Sequence, residues 1–128
     1  MKVLIVQSNE HLGRIWSRHL ERLSAKVTCV QTGQMALEMI ENQTYDVIVV
    51  DLVLSEGSAL TVADTAQFRQ PDANVVFVTD TSFFSDGSIF VHSPNARAFL
   101  KSNTPPDDLA AIVEHYGMAS AGRAALTS

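Results

Sequence analysis

The chain has one cysteine, four prolines and one tryptophan among 128 residues. A single cysteine cannot close an internal disulfide, so the fold must rest on its apolar core. Cys29 lies in the apolar run Val27-Thr28-Cys29-Val30, which predicts a buried thiol acting as a small apolar side chain. No apolar run approaches the ~20 residues of a membrane span, and Val3 to Val6 is too short for a signal-peptide core. The sequon Asn42-Gln43-Thr44 is therefore read as coincidence, and the chain as cytoplasmic and reduced. Positive charge is also scarce. The formal charge of −5 has the wrong sign for a nucleic-acid or anionic-membrane footprint. His11, His19, His92 and His115 show no metal-ligand spacing and are read as surface or helix-face residues.

What is present is an ordinary globular balance, 46% apolar and 18% charged, in a chain long enough for one buried core. Short apolar runs recur at Val3 to Val6, Val27 to Val30, Val47 to Val50, Val75 to Val78 and Ala96 to Leu100. Their β-branched content and continuous, non-alternating pattern predict strands covered on both faces. Helical periodicity fills the gaps. Asn9 suits an N-cap for a helix carrying Leu12, Ile15, Trp16, Leu20 and Leu23 on one face. Gln34 to Glu41 brings Ala36, Met39 and Ile40 together, and residues 58 to 69 bring Leu60, Ala63 and Ala66 together before Pro71. Thr104 can cap a last helix with Pro105 at its first position and Leu109, Ile112, Val113 and Tyr116 as its stripe. Residues 117–128 are small and polar, and a flexible tail is expected there.

Strands alternating with helices imply an α/β fold of three layers. The expected sheet is five-stranded, parallel and doubly wound, with order 2-1-3-4-5. The segment between the fourth and fifth strands holds Gly87 and Pro94, which predicts a short or distorted helix. Its Phe83, Phe84, Ile89, Phe90 and Val91 suit core packing or, alternatively, a partner-binding patch. Ligands of such sheets bind beyond the carboxyl ends of the strands. That points to Gln7-Ser8-Asn9, Asp51, Thr79-Asp80 and Lys101-Ser102. Taken singly, Asp51 reads as a turn or cap carboxylate and Thr79 as a loop hydroxyl.

The stretches "KVLIVQSNEHLGRIW", "YDVIVVDLVLSEGSAL", "NVVFVTD" and "ARAFLKSNTPPDDL" together resemble the receiver domain of two-component response regulators, over residues 2 to about 116. The resemblance implies a domain over 1–116 of the flavodoxin-like kind. It implies a phosphoacceptor aspartate after the third strand, here Asp51, charged by a histidine kinase. It also implies a hydroxyl after the fourth strand, here Thr79, and a switch aromatic on the fifth, here Phe99. Two acidic residues after the first strand hold Mg²⁺ in that family, and here their positions are Gln7 and Ser8, both neutral. The lysine position falls on Ser102, with Lys101 one residue early and so directed to the opposite face; a bulge or deletion would restore Lys101.

With one carboxylate for a hard ion that prefers several, no cofactor is expected and any Mg²⁺ binding should be weak. The reading that follows is an atypical receiver in a phosphorelay, not an enzyme. It would act through protein contacts with a histidine kinase or other signalling protein, and a homodimer is compatible with it. A working phosphoacceptor receiver is the alternative. A flavin- or nucleotide-binding module is disfavoured because "QSNEHLG" is poor in the Gly, Ser and Thr of a phosphate-cradling loop. No output domain follows, which leaves a single-domain regulator and a piece of a longer protein both open.

Overall fold

Each of the five apolar runs forms a strand in the computed structural model, which describes residues 1–79 and 96–127. The elements are β1 (Lys2–Val6), α1 (Glu10–Glu21), β2 (Lys26–Val30), α2 (Gly33–Asn42), β3 (Val47–Asp51), α3 (Ala59–Arg69), β4 (Asn74–Thr79), β5 (Ala96–Lys101) and α4 (Pro106–Thr127). The strands pair in parallel in the order β2-β1-β3-β4-β5. The segment expected as a distorted helix, with Phe83 to Val91, Asp80 and His92, lies outside the described residues.

Side chains alternate along the buried strands and split the core in two. Leu4, Val6, Ile48, Val50, Val75 and Phe77 face α2 and α3. Val3, Ile5, Val47, Val49, Val76 and Val78 face α1 and α4, where Trp16, Leu20, Leu109 and Val113 are fully buried. Burial on both faces explains why these strands read as unbroken apolar runs.

The N-terminal caps follow their side chains. The Asn9, Thr32 and Ser58 oxygens accept from the backbone N–H of Leu12, Met35 and Thr61, each meeting one donor the first helical turn leaves open. Four expectations are corrected. The last helix starts at Pro106, because a residue before proline is pushed out of helical conformation and Pro105 is that residue. It continues to Thr127 where a tail was expected, through a run holding Ala119, Ala121, Ala124 and Ala125 and no proline. On α3 the buried set is Ala59, Val62, Ala63 and Ala66, which leaves Leu60 exposed. Cys29 is exposed on the edge strand β2, beneath α1. Partial burial still raises its thiol pKa, against the lowering effect of the Ser17 hydroxyl.

At the opposite end of the sheet, Gln70 ties three segments. Its Oε1 accepts from the Tyr45 N–H at 2.8 Å, and its Nε2 donates to the Ile40 and Gln43 carbonyls at 2.8 and 2.6 Å. Gln70→Ala is expected to lower the unfolding free energy by about 1–3 kcal/mol, since it leaves half-buried backbone groups without partners. Urea denaturation should show a lower midpoint at unchanged slope; an unchanged midpoint would refute the role.

Candidate functional site at the carboxyl edge of the sheet

Alternation decides which side chains meet beyond the strand ends. Ile5, Val49 and Leu100 all pack on the α1/α4 side, so two residues further on Gln7, Asp51 and Ser102 emerge on that side too. They line an open depression of about 340 Å³ together with Ser8, Asn9, Val53 and Ser55. Phe99 lies on the other side, stacked on Phe77 with ring centroids 5.0 Å apart. Lys101 follows Phe99 by two, pairs with Thr79, is exposed, and does not line the depression. The register irregularity between β4 and β5 falls between Val75 and Val76, before Phe99, and so leaves the count from Phe99 to Ser102 intact. Thr79 is 1% exposed, and its hydroxyl has no hydrogen-bond partner among the described residues.

The depression is held by a polar network. Gln7 is 2% exposed. Its Nε2 donates to Asp51 Oδ2 at 2.9 Å, and its Oε1 accepts from the Asn9 N–H at 3.0 Å. The two contacts use opposite ends of the amide and so fix its orientation. Asp51 Oδ1 accepts from the Val53 N–H at 2.9 Å. The Ser8 hydroxyl donates to the Gln31 carbonyl at 3.1 Å and accepts from the Ser55 N–H at 2.9 Å, joining the ends of β1 and β2 to the loop after β3. That loop is clipped once more, by the Gly33 N–H donating to the Glu56 carbonyl at 3.0 Å. Gly57 has φ of +92° and lies so close that a Cβ on it would stand 2.8 Å from the Gly33 Cα. Both the backbone conformation and the contact therefore require glycine.

These residues do not suit a hard dication. Asp51 supplies one carboxylate, the nearest amide turns a donor toward it, and the amide oxygen is already engaged. Among the described residues no three His, Cys, Asp or Glu side chains converge on one point. Of the lining residues, Asn9 is among the strand-end positions the sequence points to, whereas Val53 and Ser55 are not.

The parallel sheet order, with Asp51 at the end of its central strand β3, defines an α/β module of the receiver kind. The sequence model of the response regulator receiver domain matches residues 3–114, and the chain belongs to that family. It is similar to the response regulator receiver protein CpdR of Brucella abortus (strain 2308), 23% identical over 78 residues. That match takes in 61% of this chain, which spans 65% of the relative's length. Two solved structures share the fold at 20% identity. One is a signal receiver domain from Vibrio parahaemolyticus, with a TM-score of 0.86 and coverage of 99% of this chain and 97% of that one. The other is a CheY-like receiver domain protein from Methanospirillum hungatei JF-1, with a TM-score of 0.84 and coverage of 95% and 97%. Receiver domains are two-component signalling modules that interact with histidine kinases or other signalling proteins. Among the described residues no helix is long and apolar enough to cross a membrane.

Gln7→Leu keeps the bulk but leaves the Asp51 carboxylate and the Asn9 N–H each short of a partner. It is expected to cost about 1–3 kcal/mol of stability, against about 1 kcal/mol or less for Ser8→Ala in its more exposed setting. Equal urea midpoints for the two variants would contradict this ranking.

Proposed function

We propose that the chain is an atypical receiver that signals through protein contacts, with Mg²⁺-dependent phosphorylation of Asp51 weak or absent. The observation that carries this reading is the Gln7 amide, which donates to Asp51 from a position where the family has a metal-binding acid. Phosphoryl transfer relies on cations to offset charge on the equatorial oxygens. Both routes to positive charge are weakened: Gln7 and Ser8 stand where acids would hold the metal ion, and the residue lining the pocket at the lysine position is Ser102. Dipoles from amide and hydroxyl groups orient Asp51 but bring no net positive charge to it. The partner is a histidine kinase or another signalling protein, met through a surface that does not depend on a phosphoryl group.

A working phosphoacceptor is the second reading. Its support is the placement of Asp51 at the end of β3, with its carboxylate open to the depression.

Amide NMR with Mg²⁺ and beryllofluoride separates the two. Shifts should be absent around Asp51 and Phe99, and stoichiometric binding would overturn the first reading. The double variant Gln7→Glu, Ser8→Asp is expected to gain Mg²⁺ binding by calorimetry, because it restores a three-carboxylate donor set.

A further inference from the structure

We infer that the Asp51 depression receives one cationic side chain, an arginine guanidinium, from a partner protein. The inference rests on the reading above, in which no Mg²⁺ takes the site. The charge count leads to it. Among the described residues the depression holds a single carboxylate, set among neutral amide and hydroxyl groups, so a monocation neutralises it and a dication overshoots. Nothing in the described part of the chain supplies that cation: no ion pair reaches Asp51, and Lys101 lies outside the lining. The sequence from 80 to 95 contains neither lysine nor arginine.

The acceptor geometry narrows the cation further. Each Asp51 oxygen accepts one N–H, from Gln7 and from Val53, which leaves a lone pair on each oxygen for a second donor. A guanidinium offers paired N–H groups matched to both oxygens of a carboxylate, and it sheds water more easily than an ammonium does. The Ser55 and Ser102 side chains on the walls offer further acceptors. At the rim Val53 is 57% exposed, an apolar surface against which the methylene stem of an arginine can lie. The net charge of −5 favours the approach of a basic partner.

The test titrates labelled protein with N-acetyl-argininamide and follows amide shifts. Saturable shifts are expected at the Val53 and Ser55 backbone amides and at the Gln7 side-chain amide. They should be weaker with N-acetyl-lysinamide and absent with the neutral N-acetyl-citrullinamide. Asp51→Asn, nearly isosteric, should weaken binding by roughly fivefold or more. Ser102→Lys, which keeps Asp51 but fills the depression with an internal ammonium, should do the same. No saturable shift, an equal response to the citrulline probe, or undiminished binding by both variants would overturn the inference. If the arginine and Mg²⁺–beryllofluoride probes are both silent, only the arginine pairing fails. Saturation by beryllofluoride alone overturns the reading on which the pairing rests.

Discussion

β1 is hydrogen-bonded along both edges, to β2 with Val6 beside Val30 and to β3 with Val6 beside Val50. Four of its five side chains are buried. This double pairing places Gln7, the next residue, beside Asp51 at the end of β3, and Ser8 between the ends of β2 and β3. The contacts that Gln7 and Ser8 make across the strand ends follow from it. A slip of one residue in β1 would exchange the faces of Ile5 and Val6 and turn Gln7 away from Asp51. The apolar sets on the two sides of the sheet are thus what hold a polar network at its edge in register.

Within that frame, the Gln7 amide and the Ser8 hydroxyl set dipoles, not charges, at the carboxyl edge of the sheet. An amide next to a carboxylate gives a directional hydrogen bond with no net charge to neutralise. The carboxylate is oriented by the Gln7 and Val53 N–H groups and opens onto the depression. Loop positions are held by the Ser8, Gln7 and Gly33 hydrogen bonds, none of which requires a bound ion.

The strands were legible because burial on both faces leaves an unmistakable run of valines and isoleucines, as in Val47 to Val50. Sheet order followed from the alternation of strands and helices. Harder to read was anything set by an element's neighbours. Cys29 reads as core because its strand is apolar, yet β2 is an edge strand and exposes it. Leu60 reads as core on α3, but Ala59 and Val62 face the sheet instead, a rotation that the small and mixed residues of that helix leave undecided. In the site, the positions of Asp51, Gln7 and Ser8 were readable from strand ends. Which of Lys101 and Ser102 faces the depression was not, since a bulge in β5 could have shifted either inward; the bulge lies upstream of Phe99. The contacts of Asn9 with Gln7 and of Ser55 with Ser8 use backbone N–H groups that any residue but proline would provide, so no side-chain signature announces those contacts.

The contact between Gly57 and Gly33 has a mechanical consequence. Most loops touch their neighbours through side chains, which can change rotamer and absorb a small displacement. Here main chain rests on main chain, joined by a hydrogen bond from the first residue of α2 to the loop after β3. The loop that walls the depression is thereby tied to the first turn of α2 through main chain alone, where no change of rotamer can absorb a displacement.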